Sequence, residues 1–392
     1  MEYINVSELV KKMSKTRIRL LFFVNVDWFF ISHRLPIALK AISEGYEVHL
    51  VTTLTGSKKI LEDCGLIVHN IKMSRSSNGI ISSLMTILEI YKIYIKTKPD
   101  IVHLVTIKPV LLGGIAARFA NVKNVVASIS GMGYVYINKS FLNFFNRFSA
   151  SILYKLALGQ KSLKVIFQNE SDLELVSKIS KLSRSNTILI KGSGVDLDLF
   201  RYSPLPQGKP LIVLASRLLV DKGVIEFVEA ARILKSENFD ARFILVGSPD
   251  TENNASLTEK DIKVWQEEEV IEYWGHKNEM NKVLSDSSIV VLPSYREGMP
   301  KVLLEASAVG RPIITTDVPG CRDAIIPDIT GLLVPLKNAV ELSRAIKFLL
   351  KNRHLWKEMG SKGRKLAEES YGVEGVVKKH MEIYFNLING VE

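Results

Sequence analysis

The chain has 392 residues, 47% of them apolar and 24% charged, with a formal net charge of +11. That length exceeds what one hydrophobic core sustains, so two domains are expected, and the ordinary composition excludes disorder and fibrous repeats. Its two cysteines, Cys64 and Cys321, are far apart and lack metal-ligand spacing, which suits a reducing cytoplasm.

No apolar run approaches transmembrane length, since the richest, 20–31, is broken by Asn25 and Asp27. The first sixteen residues lack the apolar core of a signal peptide. Charge is uneven: residues 1–200 hold 26 Lys and Arg against 14 Asp and Glu, while residues 201–392 hold 26 against 27. The basic half points to an anionic partner: a membrane surface, nucleic acid or a phosphorylated acceptor.

In chain order, Ile18–Val26 reads as a strand and Ser32–Glu44 as a helix, with Ser32 as cap and Gly45 closing it. Strands follow at 47–52 and 67–72, a helix at 79–96 and a strand at 99–105. Further strands are expected at 122–128, 164–168 and 187–191. Strands alternating with helices imply a parallel, doubly wound sheet. The pattern breaks at Phe200–Pro210, where three prolines and a glycine read as a linker. It restarts with strands at 211–216, 242–246, 270–274, 289–292, 313–315 and 332–334, and a helix at 223–235. The expected fold is therefore α/β, two Rossmann-like domains (1–200 and 201–392) facing across a cleft. Neither half carries a G-x-G-x-x-G or a P-loop, which weighs against a dehydrogenase or a P-loop ATPase.

The most informative segment is Ser294–Gly310, SYREGMPKVLLEASAVG, after the apolar run Ile289–Pro293. It reads as strand, turn and helix, with Glu297 and Glu305 on either side of the helix start. Gly298 is free to take positive φ, and Pro300 suits the first helical position. A helix N-terminus seats phosphate, and two acids beside it suit a ligand that also carries hydroxyls, as a nucleotide sugar does. Arg217, at the end of the strand 211–216, and Lys222, at the next helix start, are placed to neutralise a diphosphate.

These pieces resemble glycosyltransferase family 4, retaining enzymes of GT-B fold. The resemblance rests on Ser216-Arg217-Leu218 with Lys222-Gly223, on Gly275, on the run Arg296–Ile314, and on Val318-Pro319-Gly320 and Asp328–Val334. It spans most of the chain and is specific in the second half. It implies that Glu305 binds the donor's ribose and Glu297 a sugar hydroxyl. The backbone of Gly298, Met299, Pro300, Lys301 and Val302 would hold sugar and phosphate oxygens, Arg217 and Lys222 the diphosphate, and Gly275 would lie near the nucleobase. It also implies a C-terminal helix, 373–389, crossing back to the first domain. The chain departs from the family pattern in two loops. Asn25–Phe30 stands where a Gly-Gly loop is common, and Ser130-Gly131-Met132-Gly133 where a cleft histidine is common.

Of the seven histidines, His49 and His69 read as structural, His103 as a satisfied core residue, and His276 as an exposed loop residue. His354 and His380 read as helix-surface residues, and His33 as either cleft-facing or helix-surface. Lys108 is the better candidate for an anionic acceptor, with Ser130, Gly131 and His33 on the same side. No cluster has metal spacing, so no metal and no cofactor are expected beyond the nucleotide-sugar substrate. Phe141–Leu158 places Phe141, Phe145, Phe148 and Ile152 on one helical face while Arg147 and Lys155 add charge, the segment being either packed on the sheet or docked on an anionic bilayer. The combined expectation is a metal-independent glycosyltransferase moving a UDP-linked sugar to a lipid-linked glycan acceptor for surface polysaccharide, cytoplasmic and peripheral on the membrane. The rivals are a UDP-N-acetylglucosamine 2-epimerase and a basic nucleic-acid-binding protein. The first needs cleft acids and histidines that the first half scarcely offers, and the second has no use for the acidic turn.

Overall fold

The computed structural model describes residues 17–73, 79–131 and 152–391. Two all-parallel sheets organise them. The first contains β1 (Arg19–Val26), β2 (Glu47–Thr53), β3 (Ile67–Asn70), β4 (Ile101–Val105), β5 (Asn124–Ile129), β6 (Ser162–Phe167) and β7 (Thr187–Leu189), in the order β3-β2-β1-β4-β5-β6-β7. The second contains β8 (Leu211–Ala215), β9 (Arg242–Val246), β10 (Glu272–Gly275), β11 (Ile289–Leu292), β12 (Ile313–Thr316) and β13 (Gly331–Val334), in the order β10-β9-β8-β11-β12-β13. Helices cover both faces, which is why β4, β5, β11 and β12 are buried along their whole length. Each sheet reverses its winding beside its first strand, and ligands of such sheets bind outside the carboxyl ends there. The two reversal points, β1/β4 and β8/β11, face the same cleft.

The helices that position this cleft are α1 (Asp27–His33), α2 (Leu35–Ser43), α3 (Ile80–Thr97), α4 (Ile107–Phe119), α5 (Glu170–Ser180), α6 (Lys301–Ala308) and α7 (Val373–Asn389). Three local expectations are corrected. Ser32 caps nothing: it lies inside α1, and the chain breaks at Arg34 because Pro36 can sit only in the first turn of a new helix. Pro300 precedes α6 as its N-cap and is not its first helical residue. His380 is buried, not on a helix surface, because α7 turns it inward along the stripe Val376–His380–Ile383–Tyr384.

Arg311, fully buried, fastens the segment between the domains. Its guanidinium donates to the carbonyls of Ser203 (2.9 Å), Pro204 (3.0 Å) and Ser285 (2.7 Å). After that segment has led into the second domain, the chain returns. Val195 and Gly372 form a parallel bridge, and α7 packs against α2. Val376, Met381, Ile383 and Tyr384 thereby join the core formed by Leu20, Phe22 and Val126 of the first domain. His103 is satisfied there on both ring nitrogens, by Tyr384 Oη (2.6 Å) and Ser128 Oγ (2.7 Å). Burial holds His103 well below, and His380 down to about 3 from, the usual imidazole range, so both are neutral.

Candidate active site in the interdomain cleft

The second domain assembles its charged residues at the ends of β8, β9 and β11. After β8 a short turn, Val220–Lys222, closes on Gly223, which has φ 73° and leads into the helix Val224–Ser236. A Cβ at Gly223 would lie 2.2 Å from the Pro293 carbonyl oxygen, so glycine is what lets this turn press against the end of β11. The Tyr295 amide donates to the Asp221 carbonyl (2.8 Å), joining the two turns. Lys222 then meets Glu297 in a largely buried ion pair. Arg217 pairs with Asp250 (2.9 Å), on the loop after β9.

Gly298 is glycine for a different reason from the one expected. Its φ is not positive. A Cβ there would lie 2.5 Å from Gln168 Oε1 and 2.5 Å from the Ser130 carbonyl carbon, both in the first domain. The requirement is close approach of two domains, which no local pattern announces. Beyond it, α6 carries Glu305 inward, where it is buried and 3.4 Å from Lys301 Nζ. Burial raises the Glu305 carboxyl, and Lys301 offsets part of that rise. Lys301 also donates to the Ser32 carbonyl of α1 (3.0 Å), across the cleft. Met299 is buried in the core of its own domain.

Two cavities meet at Arg217 and Asp250. The larger, about 920 Å³, runs from Arg217 past Ser248 and Asp250 to His276–Asn278, with Val302 and Glu305 in its wall and Trp28, Ile31 and Ser32 opposite. The smaller, about 490 Å³, is lined by Asn25, Thr106, Lys108, Ser130 and Gly131 of the first domain, facing Arg217 and Asp250. Thus Arg217, Val302 and Glu305 share one space, Lys108, Ser130 and Gly131 share its neighbour, and the Lys222–Glu297 pair sits on the turn beside them. Burial lowers the Lys108 ammonium. Gly275 is not in the wall: its carbonyl accepts from the Gly247 amide (3.0 Å), and the three residues after it line the cavity instead. His33 also lies apart from the smaller cavity. It stacks on Phe29 (4.1 Å between ring centres), and burial with Arg34 and Lys301 depresses it to about 3.

Sequence reasoning missed Asp250, Trp28 and the residues that hold the turn from the other domain. Asp27 is marked by the sequence as an interruption of an apolar run and as part of the first loop, with no structural role of its own. It is the buried anchor of the β1–α1 junction, accepting from the amides of Trp28 (2.8 Å), Thr55 (2.8 Å) and Ser57 (3.1 Å). This fixed junction stands where a Gly-Gly loop is common in the family that the sequence resembles. The stripe Phe141–Phe148 with Arg147, and Met132 with Gly133, lie outside the described residues.

Known proteins share this architecture. Residues 197–366 match the model of glycosyl transferases group 1, and residues 19–169 that of the glycosyl transferase 4-like domain. An N,N'-diacetylbacillosaminyl-diphospho-undecaprenol alpha-1,3-N-acetylgalactosaminyltransferase of Campylobacter jejuni is 29% identical over 384 residues, covering 92% of this chain and 99% of its own. The capsular polysaccharide biosynthesis glycosyltransferase CapM of Staphylococcus aureus is 24% identical, covering 87% and 90%. Among solved structures, HepE of Anabaena in complex with UDP superposes with a TM-score of 0.72 at 17% identity, covering 94% of this chain and 100% of its own, a likeness of fold.

Proposed function

The chain belongs to the two-domain glycosyltransferases of family 4, and from that premise we propose that it transfers a sugar, with retention, from a UDP-sugar to a glycan on a polyprenyl diphosphate. The observation that carries this reading is one cavity lined by both Arg217 and Glu305, beside a second that holds Lys108, with the Lys222–Glu297 pair on the adjoining turn. The nucleoside lies in the larger cavity with its ribose on Glu305 and its base toward His276–Asn278. The diphosphate takes Arg217 and Lys222 from Asp250 and Glu297, and Glu297 turns to a sugar hydroxyl. The acceptor enters along Lys108, Ser130 and Gly131, and the name of the Campylobacter relative, with its diphospho-undecaprenol acceptor, supports the lipid-linked class.

In the reaction the bond between the anomeric carbon and the diphosphate oxygen breaks. The acceptor hydroxyl bonds to that carbon from the same face, and its proton passes to the departing phosphate oxygen. Arg217 and Lys222 stabilise the charge that develops there, so no metal is required. His33 is no base in this scheme, since an imidazole held near 3 binds protons too weakly. The enzyme works at an anionic membrane surface. Residues 79–164 hold eleven Lys and Arg against two acids, and α3 exposes Ile81, Leu84, Met85 and Leu88 along one face with Lys92 and Lys96 beyond them. Among the described residues no helix is long and apolar enough to cross a membrane.

The test is UDP release from UDP-N-acetylhexosamines and UDP-hexoses, with and without a polyprenyl-diphosphate-linked sugar, in EDTA. Acceptor-dependent release that survives EDTA is expected. Turnover abolished by EDTA and restored by magnesium would overturn the metal-free scheme.

A further inference from the structure

Glu297 is flanked by two residues that the other domain holds. Arg296, before it, donates to Asp172 Oδ1 in an ion pair whose side chains are 17% and 1% exposed. Gly298, after it, accepts from Asn169 Nδ2 (2.8 Å) through its carbonyl. Asn169 and Asp172 form the N-terminal turn of α5. The Asn169 side chain caps the helix by accepting from the Asp172 amide (2.8 Å), and its Nδ2 also donates to Asp172 Oδ2 (3.1 Å). One carboxylate is thus divided: one oxygen is held within its own domain, and the other is offered to the opposite one.

We propose that Asp172 and Arg296, with Asn169, form an interdomain latch that positions the Glu297 turn, so that the first domain governs turnover through residues that do not touch the donor. This rests on the assignment of the 296–302 turn as the donor seat. Three features favour a latch over a passive contact. Asp172 is wholly withdrawn from water, so separating the domains must rehydrate both charges, and the pair is either made or broken rather than loosened by degrees. The contact surface has no slack, because Gly298 meets Gln168 and Ser130 at distances that exclude even a methyl group. The geometry being set is that of Glu297 against Lys222, where small displacements carry large rate penalties. Asp172 and Arg296 are positioning residues in this account, not catalytic ones.

The experiment compares Asp172→Asn, Arg296→Gln and the double variant with wild type. Turnover, donor KM, calorimetric UDP affinity and hydrogen exchange across residues 295–302 are measured on each. Asn is nearly isosteric in the α5 turn, and Arg296→Gln leaves α5 untouched, so at least one single variant tests the latch in a folded protein. Each single change should lower kcat by about 30- to 100-fold. UDP affinity should stay within about threefold, because the Glu305 side of the seat is intact, and exchange in the turn should accelerate by about tenfold. The double variant should be no worse than the worse single one. Singles that keep kcat within threefold, or losses that multiply in the double variant, would overturn the latch. Failure of the donor reading looks different. Wild type would not bind UDP, and unchanged exchange in Asp172→Asn would then still refute the latch, as faster exchange would support it.

Discussion

On the second domain's side of the cleft three cations have carboxylates beside them: Arg217 with Asp250, Lys222 with Glu297, and Lys301 with Glu305. The first domain's side carries the buried Arg34, held by the His33 carbonyl (2.9 Å) and the Ser130 hydroxyl (3.4 Å), within a half of the chain that has twelve more basic than acidic residues. The paired wall is preset. On the proposed function, a diphosphate arriving there replaces carboxylates that already hold the cations in place, so little reorganisation is needed, and discrimination rests on geometry. On the same proposal, the basic excess of the first half acts at longer range, drawing an anionic acceptor or surface toward that domain through its net field. Donor recognition and acceptor capture, on the proposed function, rest on different physics in the two domains.

The sharpest way to break this contrast is to remove one preset cation. Lys222→Ala should lower turnover by on the order of 3 kcal/mol, roughly a hundredfold, and Arg217→Ala by a similar amount. Steady-state kinetics at saturating donor checks both, and a loss confined to KM would mean that these cations bind the ground state and transition state alike.

The contrast extends to pH. The buried neutral histidines His103 and His380 belong to the first domain and the helix packed on it, whereas His276 and His354 of the second are exposed. His380 is held at about 3 when folded against an ordinary 6.5, and His103 is shifted in the same direction. The unfolded chain therefore binds more protons over this range. Stability is full above about 6.5 and falls as pH drops toward 3, by up to about 1.4 kcal/mol per pH unit for each such group. Urea unfolding followed by hydrogen exchange at pH 7, 6 and 5 should show the first domain weakening before the second. Equal weakening of both would remove this difference between them.

A smaller effect concerns the membrane. Lys92→Glu with Lys96→Glu should weaken co-sedimentation with anionic vesicles by about 1 kcal/mol per residue at low salt, and leave UDP affinity unchanged. Undiminished sedimentation of the double variant would remove α3 from the docking surface.

How legible each wall was in the sequence follows from how local its logic is. The succession of strands and helices and the Glu297–Glu305 turn rest on periodicity and short spacings, which are visible in one dimension, whereas the order of the strands within each sheet is not. Asp250, Asp172 and Arg296 acquire their roles only when strands distant in sequence bring loops together, and each alone reads as a surface charge. Gly298 was singled out for a conformational freedom it does not use, because the approach of Ser130 and Gln168 is a tertiary event. His380 could have been found. It continues the apolar spacing of Val376, Ile383 and Tyr384, and a polar residue on such a stripe is buried with a partner more readily than exposed. Asn169 and Asp172 left a trace as well, the capping pattern N-x-x-D directly after a strand.

The central claim is that the cleft seats a uridine nucleotide with its ribose on Glu305. Calorimetric titration of UDP into wild type and Glu305→Ala tests it most directly, because it needs neither the donor sugar nor the acceptor. Loss of charge-assisted hydrogen bonds at a buried site predicts affinity weaker by about 2 kcal/mol, roughly thirtyfold, in the variant. Equal affinities, or no binding by wild type, would contradict the account.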